Sequence, residues 1–330
     1  MQVGVIGAGA VGGALAAALH RAGHSVEVTA RGAHLAAIQR DGIHLSGAWG
    51  DYVAPVAADV TLNRAPELVI LATKAQDATA ALTANALLLR GIPLIVVQNG
   101  LDGVTGAVSA APHSDVVGAL ALFASSLISP GHIEVTGPGD LYLGGGSRDH
   151  DVPERYAASV LADALTVHLT ANFAGAQWSK LVVNQLNALP AITGLSVQEV
   201  FADPQLRTVL VASMRETVRI ARASGIRFEP LQGLSDRRLR LFTSVPARFA
   251  SFVPAALIRR MGTVPNPGST LQSIRRGQLT EVEFLNGAVV RAAEGIGQTA
   301  PVNAALVELV HAVERSGNFF APATVSGRIG

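Results

Sequence analysis

The stretch that most constrains this chain is VGVIGAGAVGG, which occupies residues 3–13. Its first residues are apolar and β-branched, which is typical of a buried parallel strand. Gly7, Gly9 and Gly12 follow in the G-x-G-x-x-G spacing, and a helix-forming stretch then runs over residues 11–21. A strand, a glycine-rich turn and a helix in this order predict a dinucleotide-binding unit. The alternative is a glycine-rich turn that binds no ligand.

The three glycines have different mechanical roles in such a turn. Gly7 permits the tight bend, Gly9 lets the backbone approach a pyrophosphate, and Gly12 lets the helix pack closely on the strand. The anion is expected at the free N–H groups and the positive dipole end of the helix. The predicted cofactor-binding residues of this loop are Gly7, Ala8, Gly9, Ala10, Val11 and Gly12.

Arg31 indicates which dinucleotide the unit binds. Residues 25–30 are typical of a second strand, and Arg31 follows it, about twenty residues after the glycines, where NAD-binding domains usually place an acid for the ribose 2′-hydroxyl. An arginine instead suits the dianionic 2′-phosphate of NADP, because it can form a charge-assisted fork. We therefore predict NADP as the cofactor; the alternative is a solvated surface arginine.

Strands and helices alternate through the first half of the chain, which predicts a parallel, doubly wound sheet. Ligands of such sheets bind at the carboxyl ends of the strands. Arg31, Lys74 and Asn99 are therefore expected on one rim with the glycine-rich loop, and Lys74 and Asn99 are predicted cofactor contacts. The predicted strands are 68–73, 93–97, 116–127, 132–135, 141–144 and 166–169, and the predicted helices are 34–40, 76–89 and 153–164.

Helical periodicity dominates the sequence after Ala171. We expect an α/β Rossmann-type, NADP-binding domain over residues 1–171 and an all-α substrate and catalytic domain over residues 172–330. Strands 116–127 to 141–144 are expected to be antiparallel, with a glycine turn at 144–146, and the tail after Gly317 to be loosely ordered. The predicted helices of the second domain are 174–189, 204–224, 236–260, 269–276, 281–294 and 303–315.

Composition excludes several classes of function. The 330 residues carry a net charge of only +1 without a charge block, which argues against nucleic acid or an anionic membrane as partner. Cysteine is absent, so disulfides and thiolate metal sites are excluded, and the nine histidines show no metal-ligand spacing. We see no signal peptide or membrane-spanning run and expect a cytoplasmic protein with no metal.

Lys180, Asn184 and Asn187 stand at i, i+4 and i+7 in QWSKLVVNQLN and would share one stripe of a continuous helix. A lysine that faces a cleft can give a proton to a carbonyl oxygen, and desolvation lowers its pKa toward the working pH. The stripe predicts a general acid with two amide contacts. The alternative is a polar stripe that faces water.

Two further segments match the capping-box pattern, with Ser269 and Thr280 as N-caps and Gly277 as the break between two helices. Ser269 is either a plain cap or a substrate contact. Glu281 stands at a predicted helix start. Its negative charge either complements the positive end of the helix dipole or acts on the substrate.

These motifs together resemble the ketopantoate reductase (2-dehydropantoate 2-reductase) family over nearly the whole chain. The resembling pieces are GAGAVGG at 7–13, Arg31, ATKAQD around Lys74, QNG at 98–100, WSKLVVN at 178–184, and S-x-L-Q with TEVEFLNG at 269–287. The resemblance implies NADPH-dependent reduction of ketopantoate to pantoate, a step toward pantothenate and coenzyme A. It implies Lys180 as general acid, Glu281 as the carboxylate that orients the substrate, and Asn99, Asn184 and Ser269 as substrate or cofactor contacts.

Three features depart from the family pattern. Ala188 stands where the family commonly has a second asparagine, and we expect Asn187 to replace it as a substrate contact. Ser273 replaces a usual aspartate, and residues 237–267 are longer and more basic than in compact members. A related reductase of another 2-keto acid or ketone, or an NADPH-sensing protein without turnover, therefore stays open. Helical domains of this kind often pair, which favours a homodimer.

Overall fold

The computed structural model describes residues 1–145 and 151–329. The chain divides into two compact units, Met1–Phe173 and Ala174–Gly330. The first unit contains the strands and the second is helical. The predicted fold class, a Rossmann-type α/β domain followed by a helical domain, is therefore confirmed.

The twelve described strands all lie in the first unit, together with six described α-helices. The strands are β1 Gln2–Ile6, β2 Ser25–Thr29, β3 Ile43–Gly47, β4 Tyr52–Ala54, β5 Ala57–Asp59, β6 Leu68–Leu71, β7 Leu94–Val97, β8 Val116–Ala121, β9 Ala124–Ser129, β10 His132–Gly137, β11 Leu141–Gly144 and β12 Val167–Leu169. The helices are α1 Ala10–Arg21, α2 Gly32–Asp41, α3 Ala78–Ala84, α4 Ala86–Leu89, α5 Gly103–Ala110 and α6 Asp151–Ala162.

Eight strands form the large sheet, in the order β12-β11-β8-β7-β6-β1-β2-β5. All neighbours from β8 to β5 are parallel, whereas β11 is antiparallel to β8 and β12 is parallel to β11, so these two strands run in the opposite direction. The central strands are apolar on both faces, as β6 shows with four fully buried residues, because helices cover both sides of a parallel sheet.

The other four strands form a small sheet in the order β4-β3-β10-β9. Helix α1 contacts strands of both sheets. Its alanine and glycine side chains allow this close approach; a Cβ on Gly13 would collide with the side chain of Ile133 in β10. The small residues of α1 thus allow the helix to pack closely on strands of both sheets.

Three local predictions for this unit are wrong in detail. The predicted strand 116–127 is two strands, β8 and β9, which belong to different sheets, and β8 is parallel to β7. The predicted helix 76–89 is interrupted at Asn85, whose buried side chain accepts the Leu62 N–H and donates to the Ala81 carbonyl. Strand β5 and helix α5 were not predicted, and the turn predicted at 144–146 extends outside the described residues.

The second unit consists of ten described helices linked by short turns. Its longest helix is amphipathic, and its buried face contacts five others. No described helix is long and apolar enough to cross a membrane. The helices are α7 Phe173–Asn184, α8 Ala188–Thr193, α9 Val197–Ala202, α10 Pro204–Ala223, α11 Asp236–Ser244, α12 Phe252–Met261, α13 Gly268–Arg275, α14 Asn286–Gly295, α15 Pro301–Ser316 and α16 Pro322–Ile329.

The chain after Gly317 is helical rather than loosely ordered. Helix α16 packs against α10 and buries Val325 completely. The Phe320 N–H also donates to the Ile192 carbonyl at 2.9 Å. Only long-range contacts identify this tail as part of the fold, which explains why its composition misled the prediction.

Candidate active site

The glycine-rich loop is held by backbone geometry and by the end of β2. Gly7 has a φ of +97°, a conformation that L side chains rarely adopt. The Gly7 N–H donates to Thr29 Oγ1 at 3.0 Å, and the Ala8 N–H donates to the Thr29 carbonyl at 2.8 Å. A Cβ on Gly12 would collide with the Gly7 carbonyl oxygen. Both glycines are therefore required for the loop to form.

The space beside Gly9 differs, because a Cβ there would meet no described atom within 4 Å. Gly9 is the N-cap of α1, and no side chain caps this end or places an acid in its first turn. The first N–H groups of an α-helix have no partner within the helix. An open cradle with unclaimed donors at a positive dipole end fits the pyrophosphate of a dinucleotide.

His34 supports this loop, although the sequence indicated only a helix at this position. Its Nε2 lies 2.7 Å from the Ala8 carbonyl oxygen, and the Gly131 N–H donates to its Nδ1 at 2.9 Å. Because Nδ1 accepts a hydrogen bond, we assign the proton to Nε2, which donates to Ala8. The two bonds fix the Ala8–Gly9 peptide, and in a trans peptide the Gly9 N–H points away from His34.

The expected rim is present within the first unit. Strands β7, β6, β1 and β2 are adjacent and parallel, so their carboxyl ends lie at one edge. Arg31, Lys74 and Asn99 each follow one of these ends; Arg31 is exposed and the other two are half-buried. The buried Gln98 donates to the Thr73 carbonyl at 3.0 Å and joins the loops after β6 and β7.

Lys180 lies near the end of α7, where its side chain is half-buried. Burial lowers the pKa of Lys180 to about 8, while the nearby carboxylate of Glu281 opposes this shift by stabilising the ammonium form. Lys180 and Glu281, which are a hundred positions apart in the sequence, are therefore brought together within the second unit. An ammonium group with this pKa is able to release a proton near neutral pH.

Asn184 follows Lys180 by one helical turn and lies on the same face of α7. Its side-chain nitrogen Nδ2 is buried and has no hydrogen-bond partner among the described residues. A buried amide N–H without a partner is costly, and such groups are uncommon in folded proteins. Asn184 thus presents a donor, next to the lysine, that a carbonyl or carboxylate oxygen would satisfy.

The continuous helix predicted over 174–189 is wrong beyond Asn184. The chain forms a 3-10 turn, Gln185–Asn187, before α8 begins. Pro190 explains the break, since a proline inside a helix clashes with the carbonyl four residues earlier but is tolerated in the first turn. The position of Asn187 is therefore set by this turn. Its Oδ1 lies against Gly268, the first residue of α13.

Both predicted capping boxes also differ from the structure. Ser269 is the exposed second residue of α13, and Asn266 instead accepts the Gly268 N–H at 2.8 Å. The Thr280 hydroxyl accepts the Val282 N–H, but it starts only a 3-10 turn, and the helix expected at 281 begins at Asn286. Glu281 thus precedes a short turn rather than a long helix. A helix dipole is therefore a weaker explanation for an acidic residue at this position.

A buried polar network supports the segments that carry Lys180 and Glu281, and sequence reasoning missed it. Gln185 Oε1 accepts from Ser213 Oγ at 2.6 Å and from Asn286 Nδ2 at 2.8 Å. Asn286 also donates to Asn303, which donates to the buried Glu216 carboxylate at 2.8 Å. The sequence signal for this network was Asn286, in the Asn-Gly pair that ends TEVEFLNG. This asparagine connects the end of α7 to α14.

The described residues contain no group of three or more His, Asp or Glu side chains placed so that it could hold a metal ion. The second unit brings together a lysine, a carboxylate and an amide, Lys180, Glu281 and Asn184. This set can protonate a carbonyl oxygen and bind a small polar substrate.

Comparison with known proteins agrees with both units. Residues 3–148 match the family model "Ketopantoate reductase PanE/ApbA", and residues 172–314 match "Ketopantoate reductase PanE/ApbA C terminal". The 2-dehydropantoate 2-reductase of Pyrococcus horikoshii is 26% identical over 319 residues, which cover 96% of this chain and 99% of that protein.

Solved structures show the same fold. The PanE/ApbA family ketopantoate reductase of Ralstonia eutropha has a TM-score of 0.81 and 28% identity, with 96% of this chain and 99% of that chain covered. D-Mandelate dehydrogenase, solved with NADH and anilino(oxo)acetate, has a TM-score of 0.83, with 96% of this chain and 99% of that chain covered. Its sequence identity is 21%, so this likeness shows the fold alone. The chain belongs to the ketopantoate reductase PanE/ApbA family of NAD(P)-dependent oxidoreductases.

Proposed function

We propose that this enzyme reduces ketopantoate to pantoate with NADPH, a step of pantothenate biosynthesis. The observation that carries the proposal is Lys180, half-buried, with its pKa lowered to about 8 and with Glu281 beside it. When bound, NADPH would supply the hydride that reduces the keto carbon. Lys180 would donate a proton from Nζ to the keto oxygen, so that a hydroxyl group forms as the carbonyl double bond is lost.

The other predicted residues would bind and orient the reactants. Glu281 would hold the substrate beside Lys180, and the unpartnered Asn184 amide would donate to a substrate oxygen. Asn187, Ser269 and Asn99 remain proposed substrate contacts. Asn187 and Ser269 gain support from the contact between Asn187 and Gly268, because it brings the 3-10 turn to the start of α13.

NADPH rather than NADH is proposed because of Arg31. Its exposed side chain follows β2 on the same rim as the glycine-rich loop. The loop residues 7–12 would bind the pyrophosphate, and Lys74 and Asn99 would contact the cofactor from the neighbouring strand ends.

The second candidate is a reductase of another 2-keto acid. Residues 237–267, Ala188 and Ser273 favour it, because all three depart from the family pattern within the unit that holds Lys180. A sensor without turnover receives less support, since it has no need for a lysine whose pKa is lowered to about 8.

The deciding experiment is NADPH oxidation at 340 nm with ketopantoate, beside a panel of other 2-keto acids. A kcat/KM for ketopantoate of about 10⁴ M⁻¹s⁻¹ or more, above that of every other acid, would support the proposal. Higher efficiency with another acid would move the assignment to the second candidate. NADPH binding without turnover of any acid would favour the sensor. Sedimentation equilibrium tests the proposed homodimer separately.

A further inference from the structure

Residues 237–267, which the proposed reaction does not use, form one side of a groove within the second unit. The groove has a volume of about 1010 Å³ and lies along α10. Thr243, Ala247, Arg248 and Ser251 come from that segment, and the start of α15 closes another side. Neither Lys180 nor Glu281 belongs to its lining. The segment therefore contributes to a concave surface whose lining is separate from Lys180 and Glu281.

The groove is strongly basic. Arg207, Arg215, Arg219 and Arg248 line it, and Glu216 is the single acid among its described lining residues. The Glu216 carboxylate is 6% exposed and accepts from backbone and side-chain N–H groups of α15, with Arg219 3.8 Å away. One buried carboxylate cannot neutralise four guanidinium groups, so the groove carries an excess of positive charge.

Two of the arginines are held in place by uncharged acceptors. Arg215 donates to the carbonyls of Thr243 and Val245, both at 2.8 Å. Arg207 donates to the Phe201 carbonyl at 3.0 Å, with its guanidinium 5.5 Å from the centre of the Phe201 ring. A guanidinium has five N–H donors, so these bonds orient the group and leave donors for an anion.

The rest of the lining is largely apolar. Val211, Ala212 and Ala247 lie between the arginines, with Pro301 and Val302 at the α15 side. A volume near 1000 Å³ is at the upper end of the range for pockets that enclose small organic molecules. Guanidinium groups around an apolar surface suit a ligand that combines an oxyanion with a hydrocarbon body.

We propose that this arginine groove is a second ligand site, which binds a small organic anion with a carboxylate or phosphate head and an apolar body. The site does not depend on the proposed reaction, because none of its lining residues takes part in that reaction.

The test uses phenyl phosphate and the full-length protein in isothermal titration calorimetry. Saturating NADPH is present throughout, so that phosphate sites for the cofactor are occupied. Inorganic phosphate lacks the apolar body and benzyl alcohol lacks the charge, and we expect each to bind at least tenfold more weakly than phenyl phosphate. Equal binding of phenyl phosphate and inorganic phosphate would contradict an apolar component, and no binding of phenyl phosphate would overturn the proposal.

Three variants locate the binding. We expect Arg248→Gln and Arg207→Gln each to weaken phenyl phosphate about tenfold, because each removes charge-assisted hydrogen bonds. Arg222→Gln is the matched control, since Arg222 is exposed on the same helix but does not line the groove. Equal weakening by all three would indicate non-specific charge attraction, and no weakening by the groove variants would place the ligand elsewhere; either result overturns the proposal.

A fourth variant tests the site without removing an arginine, so that its result does not depend on whether the arginine variants fold. Thr208→Glu adds a carboxylate at an exposed lining position of α10, and we expect at least a tenfold loss of phenyl phosphate binding. Ketopantoate turnover by this variant should stay within twofold of wild type. Sedimentation tests whether a second copy covers the groove. A wild-type dimer that Arg248→Gln converts to a monomer would show that this surface is an interface, and would refute the ligand site.

Discussion

The glycine-rich loop of the first unit and the lysine site of the second are built from different parts of the chain. The loop consists of backbone: Gly7 and Gly12 shape it, and the expected ligand contacts are N–H groups at the start of α1. The lysine site consists of side chains from α7 and from a turn a hundred residues later. The loop is one local segment, whereas the lysine site exists only after the helices pack.

This difference determines what a substitution does to each site. At Gly7 and Gly12 an added side chain meets backbone atoms, so the fold is affected, whereas at Gly9 it would occupy only the open cofactor cradle. At Lys180, a smaller side chain removes the proposed proton donor from a scaffold that the buried Gln185–Asn286 network still supports. The following predictions test this contrast, starting with the largest expected effect.

Lys180→Ala is expected to lower kcat for ketopantoate by roughly 10²–10⁴, the range for loss of a general acid. Its dissociation constant for NADPH should stay within a few-fold of wild type, because the cofactor loop lies in the other unit. Stopped-flow turnover and NADPH fluorescence titration measure the two quantities. A variant with near-normal kcat would remove Lys180 from the mechanism.

The pH profile sharpens the assignment of Lys180. A general acid must be protonated, so kcat/KM for reduction should fall as the pH rises through about 8. Glu281→Gln removes the charge that opposes the lowering of the Lys180 pKa, so the falling limb should move to lower pH. An unchanged limb in this variant would show that another group limits the rate.

Two glycine substitutions should separate folding from binding at the loop. Gly12→Ala places a methyl group against the Gly7 carbonyl and should destabilise the protein by about 1–3 kcal/mol. Gly9→Ala adds the same methyl group to open space, so its urea midpoint should stay near wild type while NADPH binds at least tenfold more weakly. Equal NADPH affinity of Gly9→Ala and wild type would contradict a pyrophosphate at this cradle.

Arg31→Ala is expected to weaken NADPH by roughly tenfold to a hundredfold and to leave NADH nearly unchanged, because only NADPH carries the 2′-phosphate. The exposed Arg31 is the N-cap of α2 without a side-chain cap bond, so the fold should tolerate the change. Arg40→Ala, on the same helix and exposed, is the control. Similar losses for both dinucleotides would reject the phosphate assignment.

The sequence predicted features that depend on local constraints. The strand, turn and helix over residues 2–21 need only neighbouring residues and glycine conformations, and the spacing of Lys180 and Asn184 lies within one helix. The resemblance supplied the link between Lys180 and Glu281, which no local pattern contains.

The features that the sequence did not predict depend on distant partners. Asn85 ends α3 because its side chain bonds to Leu62, which lies 23 positions earlier in the chain. His34 acts on the glycine-rich loop only because Gly131 reaches its other ring nitrogen. In each case a plausible local pattern was present, and a backbone N–H from a distant part of the chain decided the outcome.

The smallest predicted effect concerns the segment that follows Glu281. His311 lies between two carboxylates, 2.8 Å from Glu283 and 2.6 Å from Glu314, and Glu314 also accepts the Thr280 N–H. Burial would lower the pKa of His311, but hydrogen bonds to Glu283 and Glu314 outweigh it and raise the pKa above 6.5. For Glu314, burial is likewise outweighed, and hydrogen bonds from His311 and Thr280 lower its pKa below 4.5.

The signs of these shifts define a pH window. The raised pKa of His311 contributes stability that is complete below about 6.5 and lost as the pH rises through the folded value. The lowered pKa of Glu314 contributes stability above about 4.5 that is lost as the pH falls through its folded value. Because the site is largely solvent-screened, His311→Gln should cost only a few tenths of a kcal/mol.

Urea unfolding at pH 5.5 and pH 9 measures this prediction, with His113→Gln at an exposed position as the control. The loss caused by His311→Gln should be present at pH 5.5 and should shrink at pH 9, because the contribution of charged His311 is lost as the pH rises through its raised pKa. The same variant should move the alkaline limb of kcat/KM very little, because Lys180 responds to Glu281 itself. A loss that is equal at both pH values would show that His311 acts through packing and not through its charge.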